Sequence, residues 1–249
     1  MSIKFEFNNK RFVVTGASSG IGNQIANELA RAGANVFAIA RRENKLKELQ
    51  DKYPDNIEIA AIDVTNFADL KTSLESYSEH GKIDGSLHAA GINKFTPLRV
   101  FDWKVAEQII RTSLYAGIEL VRILSQRKIA AEKSSHILLS SVAANEGPMG
   151  FTAYSAAKSG LLGAVRPMAM ELASKNIRVN AISPGWITTE MTKEMESYYP
   201  VGIDEIIKSH PLGIGSLEDV SNLALFLLSD ESKWITGANI VIDGGYSVK

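Results

Sequence analysis

The 249-residue sequence contains no cysteine, and this absence excludes two kinds of chemistry. A chain without cysteine forms no disulfide bonds and offers no thiolate as a nucleophile or metal ligand. The four histidines, His80, His88, His136 and His210, are scattered and do not repeat at the short spacings of zinc sites. We therefore expect no metal site.

The sequence also lacks an excess of one charge and a long apolar run. It has 27 basic and 28 acidic residues, whereas nucleic-acid-binding domains normally carry a basic stripe. The apolar stretch 160–165 stops at Arg166 and Pro167, well short of a membrane span, and residues 1–10 hold no apolar signal core. These absences predict a cytoplasmic protein that binds neither nucleic acid nor a membrane.

The sequence does contain short apolar runs that alternate with helical patterns. The runs are continuously apolar, which is typical of strands buried on both faces of a parallel sheet. No repeat or Pro/Gly-rich linker marks a second domain. We predict one α/β domain over residues 1–249, a Rossmann fold whose doubly wound parallel sheet of about seven strands has helices on both faces. The predicted strands cover residues 12–14, 35–40, 57–62, 85–89, 136–140, 178–182 and 239–242.

A glycine-rich turn follows the first predicted strand and leads directly into a helical pattern. Its glycines are spaced G-x-x-x-G-x-G, which permits a tight turn and a close approach of the backbone to a phosphate. The helix N-terminus that follows is a favourable site for a pyrophosphate. A simple sharp strand-to-helix connection is the alternative interpretation. The predicted phosphate-binding residues are Gly16, Ser18, Ser19, Gly20, Ile21 and Gly22.

Tyr154, Lys158 and Ser141 are the strongest candidates for catalysis. Tyr154 and Lys158 are four residues apart in Y-S-A-A-K, so both lie on one face of a helix, where an ammonium lowers the pKa of a phenol. A phenol whose pKa is lowered from about 10 becomes a usable acid/base near neutral pH. The same pair also occurs on ordinary amphipathic helices. Ser141 stands thirteen residues before Tyr154, just after a predicted strand.

Taken together, the motifs resemble those of a classical short-chain dehydrogenase/reductase. The resemblance rests on the glycine turn, A-A-G at 89–91, S-S-V at 140–142, Y-S-A-A-K at 154–158 and R-V-N-A-I-S-P-G-W-I-T-T at 178–189. These motifs come in the family's order, and the closest large group is that of the 3-oxoacyl-carrier-protein reductases. The resemblance implies hydride transfer between a nicotinamide and a carbonyl or secondary alcohol, in a homodimer or homotetramer.

The resemblance also implies a role for individual residues. Tyr154 would exchange a proton with the substrate oxygen, Ser141 would hydrogen-bond that oxygen, and Lys158 would bind the nicotinamide ribose and lower the pKa of Tyr154. In a long helix expected from Asp102 to about Gln126, the family commonly has an Asn that holds a water of the proton relay, and Ser113 stands at that position. Further cofactor contacts implied are Asp63, Val64, Ala90, Gly91, Pro184, Gly185, Ile187 and Thr189.

The end of the second predicted strand indicates which cofactor is used. Ala40 stands where an acidic residue would bind the adenosine ribose and repel a 2′-phosphate. The guanidinium of Arg41 suits that phosphate, and Ser18 is placed to add a hydroxyl. NADP(H) is therefore favoured over NAD. Arg42 and the lysines after it are interpreted as a solvated helix face.

Several questions stay open at this point. His88, at the end of a central strand, is interpreted as a buried neutral imidazole and not as a catalytic group. Residues 186–212, rich in methionine and aromatic residues, are predicted to form a substrate lid. The substrate is a carrier-bound thioester or a sugar, steroid or small ketone. The replacement of Asn by Ser113 favours an alternative function, an NADP-binding sensor or scaffold with little turnover.

Overall fold

The computed structural model describes residues 4–189, residue 192 and residues 203–248, and in this part of the chain seven parallel strands form one sheet. The strands are β1 Arg11–Thr15, β2 Asn35–Ala40, β3 Ile57–Ala61, β4 Ile83–His88, β5 Ala130–Leu139, β6 Ile177–Pro184 and β7 Asn239–Ile242. Their order is β3-β2-β1-β4-β5-β6-β7, and every neighbouring pair is parallel. The predicted parallel sheet and its strand number are confirmed.

Helices cover both faces of this sheet. The helices are α1 Gly20–Arg31, α2 Glu43–Lys52, α3 Phe67–Glu79, α4 Trp103–Ile110, α5 Ala116–Leu124, α6 Ala143–Glu146, α7 Thr152–Leu172, α8 Ile203–Lys208 and α9 Leu217–Leu228. Helices α1, α2 and α9 pack on one face, and α3, α5 and α7 pack on the other. This arrangement is the doubly wound fold predicted from the sequence.

Strand β1 shows why the predicted strands are continuously apolar. Phe12 and Val14 pack among the side chains of α1, while Val13, between them, packs towards α3 and α5. All three side chains are buried. Burial of each contributes about 1.5–3 kcal/mol to stability, so both faces of the strand select apolar residues.

Strand β5 begins well before the predicted start at His136. Its first residues, from Ala130 onwards, include exposed Glu132 and Lys133 and therefore carry no apolar signal. They extend the strand at its amino-terminal end, away from Ser141. The pairing of β4 with β5 also shifts register between Ile83 and Gly85. The strand start was missed because its exposed part resembles a loop in sequence.

The single helix expected from Asp102 to about Gln126 is also wrong in detail. Helix α4 begins at the N-cap Asp102, whose carboxylate accepts hydrogen bonds from the first turn. It ends at Ile110, and a π-helical turn over Arg111–Tyr115 joins it to α5. In this π-turn the Ala116 N–H donates to the carbonyl of Arg111, five residues back. A π-turn widens the helix locally, and nothing in the apolar periodicity indicates it.

The strand order reverses between β1 and β4, and this reversal places a crevice at the carboxyl ends of the strands. β1 pairs with β2 on one side and β4 on the other, so the connections that leave β1 and β4 diverge. Ligands of doubly wound sheets bind in such crevices. Among the described residues, no helix is long and apolar enough to cross a membrane, and no cluster of three or more metal-ligating side chains occurs.

Candidate active site

A cavity of about 380 Å³, which we call the turn cavity, opens where the strand order reverses. Ser141, Tyr154 and Lys158 line one end of it. Ser113 is not among its lining residues, because its side chain is completely buried. The turn cavity is also lined by every residue predicted to contact the cofactor, namely Gly16, Ser18, Ser19, Gly20, Ile21, Gly22, Arg41, Asp63, Val64, Ala90, Gly91, Pro184, Gly185, Ile187 and Thr189.

The glycine turn has the backbone geometry that a phosphate site requires. Gly16 has φ +71°, and a Cβ there would lie 2.7 Å from the backbone of Ala89 and Ala90, so no larger residue fits. Helix α1 follows, and its N-cap Ser19 makes no side-chain hydrogen bond to the first turn. Backbone N–H groups of this turn therefore have no side-chain cap and can donate hydrogen bonds to a bound anion.

Two arginines, not one, stand at the end of β2. Arg41 lines the turn cavity as expected, and Arg42 lines it as well. The Arg42 guanidinium donates from Nε to the Ser18 hydroxyl at 3.2 Å and from Nη2 to the Ser19 hydroxyl at 2.5 Å. Arg42 is exposed, as its interpretation as a solvated residue implies, yet its side chain folds back over the glycine turn. In the sequence, the feature that could have indicated this contact is the second arginine directly after Arg41.

Asp63 faces Arg41 across the same cavity. Burial acts to raise the pKa of the Asp63 carboxyl, but the pKa is lowered on balance by hydrogen bonds from Thr65 and by the charges of Arg41 and Arg111. The Thr65 N–H and hydroxyl donate to Asp63 Oδ1 at 2.9 and 2.7 Å. Asp63 is thus held as a carboxylate, ready to accept a hydrogen bond from a ligand.

The three candidate catalytic residues come from β5 and α7. Ser141 follows β5, while Tyr154 and Lys158 lie on α7, which is tied to the strand by a 2.9 Å hydrogen bond from the Ser140 hydroxyl to the Lys158 carbonyl. The Lys158 ammonium is buried and donates to the carbonyl of Leu139 at 2.6 Å. It lies 5.6 Å from the centre of the Tyr154 ring. The predicted juxtaposition of the two side chains is present.

The predicted lowering of the Tyr154 pKa is not present in this structure. Burial raises the pKa of Tyr154, and the hydrogen bond from the Ser141 hydroxyl only partly opposes it. Burial also lowers the pKa of Lys158 to about 8. The ammonium is directed to the Leu139 carbonyl and not to the phenol, so desolvation dominates at Tyr154.

Ser113 lies in the π-turn beside this group. Its hydroxyl oxygen has no hydrogen-bond partner among the described residues and no exposed surface. A Cβ added at Gly91 would lie 3.4 Å from Ser113 Oγ and 3.8 Å from Lys158 Nζ. Ser113 and Lys158 therefore flank the same small space beside Gly91.

His88 is buried and fully hydrogen-bonded, as interpreted from the sequence. Its Nδ1 lies 2.9 Å from the hydroxyl of Thr15, and its Nε2 lies 3.1 Å from the carbonyl oxygens of Thr112 and Ser113. Burial lowers the pKa of His88 to about 4, and the charge of Lys158 acts in the same direction. The ring is therefore neutral near pH 7.

A second cavity of about 330 Å³, which we call the aromatic cavity, opens on the other side of Tyr154 and Ser141. Phe151, Trp186, His210 and Tyr246 give it an aromatic wall, and His210 stacks on Tyr246 with ring centres 4.7 Å apart. No sequence motif had indicated His210, which the fold brings to the cavity from the end of α8. Its other described lining residues are Asn93, Val142, Ala143, Glu146, Pro148, Gly185, Thr192, Glu205, Ile206 and Ser209.

The predicted lid over residues 186–212 is only partly within the described chain. Trp186, Thr192, Ile206, Ser209 and His210 belong to that segment and line the aromatic cavity. The methionines and tyrosines on which the prediction was based lie outside the described residues. The lid stays a prediction.

Comparison with known proteins agrees with this geometry. A family model described as enoyl-(acyl carrier protein) reductase matches residues 16–247. The sequence is 35% identical to the short-chain dehydrogenase/reductase aba4 of Botryotinia fuckeliana, over 96% of this chain and 97% of that protein. The chain belongs to the short-chain dehydrogenase/reductase family. This short-chain dehydrogenase/reductase is thus an oxidoreductase, as its motifs predicted.

Other relatives of this short-chain dehydrogenase/reductase cover nearly its whole length. It is 33% identical to the 3-oxoacyl-(acyl-carrier-protein) reductase FabG of Escherichia coli, over 96% of the chain and 98% of that enzyme. A crystal structure described as a short-chain dehydrogenase/reductase, glucose/ribitol dehydrogenase, from Brucella melitensis superposes with a TM-score of 0.91 at 29% identity. That superposition covers 98% of this chain and 99% of the other.

Proposed function

We propose that this short-chain dehydrogenase/reductase reduces a ketone with NADPH as cofactor. The observation that carries the proposal is that Ser141 and Tyr154 line both the turn cavity and the aromatic cavity. The same phenol and hydroxyl therefore adjoin a site suited to a dinucleotide and a site suited to a small organic molecule. A bound nicotinamide supplies the hydride.

Tyr154 acts as the proton donor. Because burial raises its pKa, the phenol is protonated at neutral pH and can give its proton to the substrate oxygen. Ser141 hydrogen-bonds the same oxygen and holds it in place. Lys158, whose ammonium lies 5.6 Å from the centre of the Tyr154 ring, would hold the ribose hydroxyls of the cofactor. A phenol that is protonated at neutral pH is in the state that carbonyl reduction needs at its start.

The turn cavity fits NADP(H) better than NAD(H). Its adenosine end has the guanidinium groups of Arg41 and Arg42 and the hydroxyl of Ser18. These are donors suited to a 2′-phosphate. Ala40 has no carboxylate to repel that phosphate, and the glycine turn at the start of α1 suits the pyrophosphate.

The aromatic cavity favours a small uncharged ketone as substrate. Its described lining residues include two glutamates, Glu146 and Glu205, and no lysine or arginine. A carboxylate or phosphate on the substrate would be repelled there, while an apolar or aromatic body would pack against Phe151 and Trp186.

A carrier-bound 3-oxoacyl thioester is the second candidate substrate, favoured by the name of the Escherichia coli relative. A carrier protein needs basic residues near the mouth of the site. Arg127 and Lys128 precede β5, and Lys175 precedes β6. All three therefore lie at the amino-terminal ends of the strands, whereas Ser141 follows the carboxyl end of β5. Lys128 is also paired with Glu75. The small ketone is therefore the better candidate.

The proposal is tested by following NADPH oxidation with a panel of uncharged ketones, keto acids and acetoacetyl thioesters, beside a direct NADPH titration. We expect turnover on an uncharged ketone. Preferred turnover of a thioester would make the second candidate correct. Tight NADPH binding without turnover on any compound would contradict the proposed reductase activity. It would support the alternative function, an NADP-binding sensor or scaffold.

A further inference from the structure

The π-turn at Arg111–Tyr115 changes the backbone hydrogen-bond pattern next to the active site. In an α-helix, the carbonyls of Thr112 and Ser113 accept from N–H groups four residues later in the chain. The π-turn shifts this pattern by one residue, so that the Ala116 N–H donates to the carbonyl of Arg111. The His88 ring reaches across from β4 and places Nε2 3.1 Å from both carbonyl oxygens.

The surrounding hydrogen bonds define which ring nitrogen of His88 carries the hydrogen. The Thr15 hydroxyl oxygen accepts from the N–H of Ala90 at 3.3 Å. Its own hydrogen is then donated to His88 Nδ1, 2.9 Å away. Nε2 must carry the ring hydrogen, because the two carbonyl oxygens it faces only accept. The neutral Nε2–H form of the ring therefore satisfies every partner.

The absence of a side chain at Gly117 in α5 leaves space for the His88 ring. A Cβ at Gly117, in the first turn of α5, would lie 3.0 Å from His88 Cδ2. A larger residue there would push the ring off the two carbonyls. Gly117 and His88 are thus matched across the interface between α5 and β4.

The backbone that His88 holds also carries Ser113. The unpartnered Ser113 hydroxyl and the Lys158 ammonium flank the space beside Gly91. A change in the π-turn would move Ser113 Oγ relative to Lys158, while the glycine turn and the arginines that suit the cofactor would stay in place.

We propose that His88 is a positioning residue, whose Nε2–H donates to the carbonyls of Thr112 and Ser113 and so holds Ser113 beside the space that it shares with Lys158. This inference rests on the proposed reductase function for its kinetic consequence. Its structural consequence, an ordered π-turn, is independent of turnover.

Three substitutions separate hydrogen bonding from packing. His88→Gln places an amide N–H near the position of Nε2, whereas His88→Leu has a similar size and no donor, and His88→Asn is too short to reach. We expect kcat to fall about tenfold or more for Leu and Asn and to stay within about threefold for Gln, with the Kd for NADPH unchanged. If Leu and Gln behave alike, the ring only fills space and the proposal is wrong.

His136 provides a matched control. It is also a completely buried histidine of the central sheet, its hydrogen bonds are to Ser86 and Ser134 and not to the π-turn, and it does not line the turn cavity. His136→Asn is expected to lower thermal stability and leave kcat unchanged. If His136→Asn and His88→Asn lose kcat to a similar extent, the loss reflects a general effect of stability and the positioning role of His88 is wrong.

Amide hydrogen exchange tests the structural consequence, an ordered π-turn, in the absence of substrate. We expect the amides of residues 111–117 to exchange faster in His88→Leu than in the wild type or His136→Asn, with other segments alike. Unchanged exchange in this segment would refute the inference even if the wild type is an active reductase. Selectively faster exchange in a protein that reduces no ketone would support it and refute the proposed function alone.

Discussion

Tyr154 is the residue on which the proposed chemistry depends most directly. Its phenol lies next to both cavities and can release a proton to a substrate oxygen. Tyr154→Phe keeps the ring and its packing but removes the hydroxyl. We expect kcat to fall about a thousandfold, in the range typical of a lost general acid, with the Kd for NADPH unchanged. Steady-state kinetics and a fluorescence titration measure the two quantities, and full activity of the variant would rule out Tyr154 as the acid.

Arg41 and Arg42 determine cofactor preference if the phosphate assignment is correct. Replacing both with alanine removes two cations from the end of β2 without touching the glycine turn. We expect the Kd for NADPH to rise about tenfold to a hundredfold and that for NADH to change little, since charged hydrogen bonds to the 2′-phosphate are lost.

Lys47 is the control for this pair. It lies on α2 in an exposed ion pair with Glu43 and does not line the turn cavity. Lys47→Ala should leave both dissociation constants unchanged. Equal weakening of NADPH and NADH binding in the double arginine variant would count against the phosphate assignment.

At the scale of the element, the π-turn and the segment after β4 meet at Gly91. Gly91→Ala puts a methyl group between Ser113 and Lys158, at ordinary contact distances of 3.4 and 3.8 Å. The fold should accept it, whereas water or a hydroxyl contact between the two polar groups would be displaced. We expect an about tenfold lower kcat with an unchanged thermal midpoint, measured by kinetics and calorimetry on the same sample. An unchanged kcat would mean that this space has no part in turnover.

At the scale of the whole molecule, two buried histidines make the fold sensitive to acid. Burial lowers the pKa of both His88 and His136 to about 4, whereas an unfolded histidine has a pKa of about 6.5. Above pH 6.5 both states are neutral and stability is unaffected. As the pH falls towards 4, the unfolded state binds protons that the folded state does not, so each histidine lowers the free energy of unfolding by up to about 3 kcal/mol.

Urea unfolding at a series of pH values measures this effect. His136→Asn should make the loss of stability between pH 6.5 and 4 shallower. His80→Asn is the control for the substitution itself, because 64% of the His80 side chain is exposed. If His136→Asn has the wild-type slope, the acid sensitivity comes from other groups.

The predicted homodimer or homotetramer belongs to the same scale. The outer face of α7 has small residues such as Ser159 and Gly163, and a Cβ at Gly163 would meet no atom of the protomer within 4 Å. We expect light scattering to give the mass of a dimer or tetramer and Gly163→Arg to shift it to a smaller species. A monomeric wild type would refute the oligomer, and an unchanged assembly of the variant would exclude this face as the contact.

Much of the element level could be read from local sequence. The bounds of β2 and β7 agree with their predicted runs, and the glycine turn occurs where its spacing placed it. These features depend on interactions within a few residues, such as burial of both strand faces and the positive φ of Gly16. The exposed start of β5 and the π-turn have no such local signal, and both were missed.

The sequence alone determined the parallel sheet, the glycine turn and the candidate group Ser141, Tyr154 and Lys158, because periodicity and motif spacing are properties of neighbouring residues. Only the tertiary structure decided that Arg42 folds over the turn, that His88 bonds the π-turn and that a second cavity adjoins Tyr154. It also reversed the expected direction of the Tyr154 pKa shift. These outcomes depend on burial and on contacts between distant segments, which local sequence patterns do not specify.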